Sequence, residues 1–307
     1  MRVIISGPTG AIGHALIEKC ISNGIEVLAI CRKNSPRLKT IPQNALANIL
    51  ELDLNEYENY SLPDCFANKK YDIFYNFAWE GTIGDGRNDT SLQCNNIKYS
   101  LDAVELAKKF GCECFIGAGS QAEYGRVEGV LKPDTPAFPE TGYGIAKLCA
   151  GSLTRIKCNQ LGIRHIWVRI LSVYGPYDGE KTMVISSLRK LINGGVASFT
   201  KGEQKWDYLY SEDAADAFLL LSNGGKNNKT YVLGSGVEYA LKDYIIQMGQ
   251  HLDCVQKIKL GEIPYSNNQV MRLCADISDL CSDTGFVVKT DFSEGIEKTI
   301  DYIRKSL

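Results

Sequence analysis

Arg2-Val3-Ile4-Ile5-Ser6-Gly7-Pro8-Thr9-Gly10-Ala11-Ile12-Gly13 opens the chain, and the rest is arranged around it. Residues 2–5 are rich in β-branched side chains, as expected of a strand covered on both faces of a parallel sheet. Glycines 7, 10 and 13 follow at G-x-x-G-x-x-G spacing, and the helical pattern His14-Ala15-Leu16-Ile17-Glu18-Lys19-Cys20-Ile21 begins at once. The first glycine allows a tight turn, the second lets backbone approach a pyrophosphate, and the third lets the helix pack on the strand. Free N–H groups at the helix start then face the anion, with Thr9, Ala11 and Ile12 filling out the turn.

Downstream, the segments continue to alternate. Gly24 ends the first helix and Glu26-Val27-Leu28-Ala29-Ile30-Cys31 is a second strand. An acid at its end would accept hydrogen bonds from the adenosine ribose and select NAD(H). Arg32 and Lys33 stand there instead, which favours the 2′-phosphate of NADP(H), with NAD(H) possible. Residues 48–54 read as a third strand, placing Asp53 near the adenine amino group with Leu54 beside it. Residues 72–79 read as a fourth, whose end (Phe77, Ala78, Trp79) lines the cofactor pocket. A loop with three glycines over 80–88 is expected to be mobile, and 91–110 reads as a long helix burying Leu101, Val104, Leu106 and Ala107. Residues 112–120 and 163–172 are the fifth and sixth strands. Six strands alternating with helices predict an α/β, doubly wound parallel sheet.

Beyond residue 176 the pattern loosens. Helices are expected over 184–192, 214–221 (with Ser211-Glu212-Asp213 as its N-cap), 241–252 and 293–305, and a short strand over 230–233. The expected division is a nucleotide-binding domain of residues 1–170 plus about 206–233, and a smaller substrate lobe of 171–205 and 234–307.

At 44% apolar and 23% charged residues, with a net charge of −2, the chain has no bulk attraction for nucleic acid or an anionic membrane. No apolar run is long enough to span a bilayer. No secretory signal precedes the first strand, and the eleven cysteines are scattered through apolar segments, predicting reduced thiols in the cytoplasm. There is no C-x-x-C, and the three histidines lie far apart, so no metal site is expected.

Ser120, Tyr143 and Lys147 form the candidate catalytic set. Tyr143 and Lys147, at i and i+4, share one helix face. A phenol titrates at about 10, too high for a base at neutral pH. An ammonium one turn away stabilises phenolate, and an oxidised nicotinamide adds a second positive charge. Tyr143 then exchanges a proton with a substrate oxygen held by Ser120 while hydride moves between carbon and the nicotinamide.

The chain resembles the extended short-chain dehydrogenase/reductases, the NAD-dependent epimerase/dehydratase group. The matching pieces run in order: the opening turn, Asp53-Leu54, Asn76-Phe77-Ala78, Asn96, Gly119-Ser120 with Tyr124-Gly125, Tyr143-Gly144-Ile145-Ala146-Lys147, Arg169 with Tyr174-Gly175-Pro176, and Asp207-Tyr208-Leu209-Tyr210-Ser211-Glu212-Asp213. The resemblance implies a Rossmann domain with a nucleotide-sugar lobe and a cofactor contact from Asn96. It further implies substrate contacts from Trp79, Gln121, Ser172, Met183, Trp206 and Arg272, and a homodimer built from helices 91–110 and 143–160.

The departures from the group narrow the reaction. Its sugar dehydratases carry an Asp-Glu pair after the hydroxyl residue, where this chain has Gln121 and Ala122. GDP-fucose synthases use a Cys and a His, where it has Ala122 and Met183. Hydride transfer at a carbonyl remains, and the segment 202–207, with Leu241-Lys242-Asp243, resembles reductases of the CDP-abequose synthase type. Reduction of a nucleotide-linked 4-keto-6-deoxy sugar is therefore expected. The alternatives are a 4-epimerase retaining NAD and a non-catalytic NADP-sensing regulator; such regulators typically lack the Tyr or the Lys, and both are present here. Relatives often place an arginine before Asp207 to grip a diphosphate, whereas this chain has Trp206. Another arginine is replaced near Ser266, leaving Lys201, Lys205 and Arg272 nearby, and lysine lacks the bidentate fork.

Overall fold

The computed structural model describes residues 1–63, 66, 69–127, 129–266 and 269–306. Strand β1 (Arg2–Ser6) runs through the middle of a seven-stranded parallel sheet. On one side of it lie β2 (Glu26–Cys31) and β3 (Ala47–Glu51). On the other lie β4 (Ile73–Asn76), β5 (Cys114–Ser120) and β6 (Arg164–Ile170). The strand alternation splits the core in two. Val3 and Ile5 face helix α1 (Ala11–Ser22), while Ile4 faces α2 (Thr90–Lys109) and α3 (Gly142–Leu161). The strand order reverses between β1 and β4, so their carboxyl ends open a crevice, the ligand position of doubly wound sheets.

The chain then leaves the sheet through β7 (Ser172–Tyr174), α4 (Met183–Ile192), β8 (Ala197–Ser198), β9 (Lys205–Trp206) and β10 (Tyr208–Tyr210). It returns as α5 (Ser211–Gly224) and β11 (Lys229–Leu233), the seventh strand, parallel to β6. Six strands were expected in the sheet; the seventh is separated from its neighbour by the whole excursion, and Tyr231, Val232 and Leu233 are buried. Helix α5 begins three residues earlier than expected, with Tyr210 as N-cap and no side-chain cap. Asp213 does not cap; its Oδ2 accepts from the backbone N–H of Thr290 at 2.9 Å.

Short pairings of β7 with β10, β8 with β13 (Ile258–Lys259) and β9 with β12 (Tyr239–Ala240) shape the lobe. Its core joins Leu188 of α4, Ile245 and Met248 of α6 (Leu241–His251), and Ile296, Ile300 and Ile303 of the last helix. Between them α7 (Ser278–Thr284) behaves differently from the expected division. Leu280 and the following Phe286 pack with Phe218 and Leu221 of α5 in the core beneath the sheet, because that is where an apolar face lies open. The last helix, α8 (Phe292–Lys305), is capped by Asp291 Oδ1, which accepts from Glu294 N at 2.8 Å.

Candidate active site

The opening turn has the geometry its glycines suggested. Gly7 sits at φ +70°, and a Cβ there would lie 2.8 Å from the backbone nitrogen of Ala78. A Cβ at Gly13 would lie 2.5 Å from the carbonyl oxygen of Gly7, whereas Gly10 has only one neighbour, at 4.0 Å, leaving room for a ligand. Ser6 Oγ donates to Asn76 Oδ1 at 2.8 Å and accepts from Ala78 N at 3.3 Å, fastening the turn across the crevice. Gly7→Ala is expected to weaken cofactor binding at least tenfold. It also costs about 1–2 kcal/mol of stability from the left-handed backbone alone. Fluorescence titration and thermal unfolding check the two effects.

A cleft of about 750 Å³ runs from Gly7, Thr9 and Gly10 to Asp53 and Leu54, with Phe77, Ala78 and Trp79 along its side. Arg32 lines its far end. Lys33 does not: its ammonium pairs with Glu56 and its backbone N–H donates to Asp53 Oδ1 at 2.9 Å. In its place the cleft has Ser35 and Arg37. Asn34 takes a left-handed φ of +54°, bending the chain so that Arg37 comes to the cleft, where Nη2 donates to the carbonyl of Tyr177. Asn96 lies outside the cleft. Its amide exchanges hydrogen bonds with backbone N and O of Glu80, at 3.0 and 2.9 Å, and so holds the β4–α2 loop.

A second chamber of about 280 Å³ opens from the same turn, lined by Ala11, Ile12 and Gly13 and by Ser120, Tyr143 and Lys147. Gly7, Gly10, Phe77, Trp79 and Thr82 line both spaces, so the two adjoin at the opening turn. Thr141 Oγ1 caps α3 by accepting from Gly144 N at 3.1 Å, so Tyr143 lies in the first turn. Lys147 follows one turn later, its Nζ donating to the carbonyl of Ala118 at 2.7 Å. That Nζ is 5.8 Å from the Tyr143 ring centroid and 3.7 Å from the Trp79 ring, a cation–π contact. The Trp79 indole N–H is fixed by Gln93 Oε1 at 2.9 Å.

Burial governs the titration of this set. It pushes the Lys147 ammonium down to about 7, against the pull of the Glu123 charge. It pushes the Tyr143 phenol above its usual value, against a hydrogen bond with Ser120 and the charge of Arg87. Glu123, which sequence reading missed, is fully buried. Its carboxylate accepts from Ser120 N at 2.8 Å, Trp167 Nε1 at 3.0 Å and Arg169 Nε at 2.7 Å, anchoring the serine from behind. Two signals pointed to it: the Ser120-x-x-Glu123 spacing of a capping box, which the structure forms, and Arg169, an arginine inside a strand that must find a partner. Asp178 was missed too; it lines the chamber, accepting from Gly179 N at 2.7 Å and Thr182 Oγ1 at 2.9 Å.

The expected substrate residues are dispersed. Trp79 lies in the chamber, and Gln121 opens the turn after Ser120. Ser172 and Trp206 bond each other, Nε1 to Oγ at 2.8 Å. Met183 packs against the lobe core. Arg272 is held by both carboxylate oxygens of Glu238, at 2.9 and 3.1 Å, on a separate cavity. Among the described residues no group of three or more His, Cys, Asp or Glu could hold a metal ion. Nor is any described helix long and apolar enough to cross a membrane.

Known proteins are similar to this chain in sequence and in fold. The NAD dependent epimerase/dehydratase family matches residues 3–234. CDP-abequose synthase of Salmonella typhimurium is 25% identical over 312 residues, covering 97% of both chains. The dTDP-4-dehydro-6-deoxyglucose reductase of Escherichia coli is 22% identical, covering 98% of this chain and 97% of its own. The solved UDP-glucose 4-epimerase of Thermotoga maritima, with UDP-glucose, superposes with a TM-score of 0.86 at 22% identity, over all of this chain and 99% of the other. The chain belongs to the NAD dependent epimerase/dehydratase family and is an enzyme of the short-chain dehydrogenase/reductase type.

Proposed function

We propose that the protein reduces the carbonyl of a nucleotide-linked 4-keto-6-deoxy sugar, with NADPH as hydride donor. The observation that carries this reading is that the cleft at the glycine cradle and the chamber lined by Ser120, Tyr143 and Lys147 adjoin, with five lining residues in common. When bound, the nicotinamide ring supplies the hydride. Tyr143 passes its proton to the carbonyl oxygen, Lys147 stabilises the phenolate that remains, and Ser120, aimed by Glu123, holds the oxygen. Trp79 and Leu171 supply apolar wall to the chamber. Gln121 and Ala122 offer no acid beside the serine, which speaks against dehydration. Two full-length relatives, a CDP-abequose synthase and a dTDP-4-dehydro-6-deoxyglucose reductase, support a reductase.

Incubation with NADPH and CDP- or dTDP-linked 4-keto-6-deoxyglucose tests this, with NADPH consumption and a C4 alcohol as the expected result. Interconversion of C4 epimers by protein that carries NAD through purification would favour a 4-epimerase instead. The exposed side chains of Ile145, Leu153 and Ile156 on one face of α3 support pairing of two copies.

Preference for NADPH rests on Arg32, Ser35 and Arg37 at the adenosine end of the cleft. A charge-assisted hydrogen bond is worth about 1.5–3 kcal/mol, roughly ten- to a hundredfold in binding. Arg32→Ser with Arg37→Ser is therefore expected to raise the KM for NADPH by at least tenfold while leaving that for NADH within about twofold. An equal rise for both cofactors would remove this reading.

A further inference from the structure

The β4–α2 loop carries a cation that the mechanism above does not use. Arg87 ends the 3₁₀ turn Gly84–Arg87, and its guanidinium carbon lies 4.4 Å from the centroid of the Tyr143 ring. Several contacts hold it there. Nη1 donates to the carbonyl of Thr82 at 3.0 Å. Gln93 Nε2 donates to the carbonyls of Gly81 and Gly86 at 3.1 and 2.8 Å, clamping the loop to α2. Asn88 Oδ1 accepts from Gly142 N at 3.0 Å, which fastens the loop to the first turn of the helix that bears Tyr143. The backbone is close as well: a Cβ at Gly142 would come within 3.1 Å of the Arg87 carbonyl oxygen.

The charged and hydrogen-bonding groups around the phenol are few. Lys147 comes from its own helix, and Ser120 from the end of β5. Glu123 follows in the next turn, already paired with Arg169, and Asp178 lies across the chamber, held by Gly179 and Thr182. Arg87 faces the ring from the loop, and no carboxylate pairs with it among the described residues. Its charge acts on Tyr143 in the acidifying direction, opposing burial.

We propose that Arg87 is a positioning residue for Tyr143: its guanidinium, stacked on the ring, orients the phenol and supplies a resident positive charge that favours phenolate. This rests on the acid/base reading of Tyr143. The charge is present whether or not the nicotinamide is loaded, unlike that of the oxidised ring. A cation within about 4–6 Å shifts such a group by about one unit or more.

The test uses the full chain as wild type, Arg87→Gln, Arg87→Lys and Tyr143→Phe. With fluorotyrosine placed at position 143, fluorine NMR of the unliganded protein reads the phenol directly. Its midpoint is expected about one pH unit higher in Arg87→Gln and partly restored in Arg87→Lys. In the alcohol-oxidation direction, the acid limb of the kcat profile should move upward with it, lowering turnover on that limb roughly tenfold. If Arg87→Gln melts before it can be titrated, Arg87→Lys against wild type carries the comparison. A midpoint that does not move in either variant overturns the proposal, even if turnover falls. Retained turnover in Tyr143→Phe would instead remove the acid/base reading beneath it.

Discussion

Tyr143→Phe is expected to lower NADPH-dependent reduction of a nucleotide-linked 4-keto sugar by about 10²–10⁴-fold, with the cofactor dissociation constant changed by less than about threefold. The substitution removes one oxygen and leaves the ring packing intact: Trp79 edge-on at 6.1 Å, Arg87 on the face and Lys147 beyond. What disappears is the phenolic proton donor that lines the chamber with Ser120 and Lys147, one helix turn before the lysine. Steady-state kinetics with a binding titration separate the effects. A proportionate loss of binding would mean that the ring was a wall of the cofactor channel rather than a proton donor.

Glu123→Ala should be the most damaging single change for stability, at about 3–5 kcal/mol, because it strands Arg169 as an unpaired charge with little access to water. Arg169 is 8% exposed, and its other contacts are the carbonyl of Pro133 at 3.2 Å and the ring of Tyr124 at 4.4 Å. The same carboxylate satisfies Ser120 N and Trp167 Nε1, so both are orphaned together. Glu123→Gln keeps an acceptor and should cost less. The double change Glu123→Leu with Arg169→Met should recover much of the loss, since removing both members of a buried pair is far cheaper than removing one. Urea unfolding with an unchanged slope measures these differences. Additive losses in the double variant would show that the ion pair is not the source.

What could be read in advance was what is local. The strand, glycine turn and helix of residues 2–22 are adjacent in sequence, and helix periodicity puts Tyr143 and Lys147 on one face. Ser120 follows from its place at a strand end. The unforeseen parts depend on distant chain. Lys33 reads from the sequence as a cation for the cofactor, but distant Glu56 and Asp53 hold it away, and Arg37, past the left-handed Asn34, lines the cleft. Glu123 and Arg169 are brought together by the pairing of β5 with β6, and Arg87 reaches Tyr143 where the β4–α2 loop is fastened to the start of α3 at Gly142. Trp206 stands where relatives often place an arginine; its indole N–H donates to Ser172 of β7, a strand that lies 34 residues earlier in the chain.

The order in which the chain visits the two halves has a mechanical consequence. After β6 it builds part of the lobe and comes back for α5 and β11. It departs again through β12 and α6, returns as α7, and ends in the lobe as α8. The halves are thus laced together rather than strung like beads on one thread. Any gape of the crevice must therefore flex several backbone crossings at once rather than a single linker. Severing the chain after β11 would strip both halves, because Leu280 and Phe286 leave the sheet side bare while the loss of Ile296 and Ile300 unroofs the lobe.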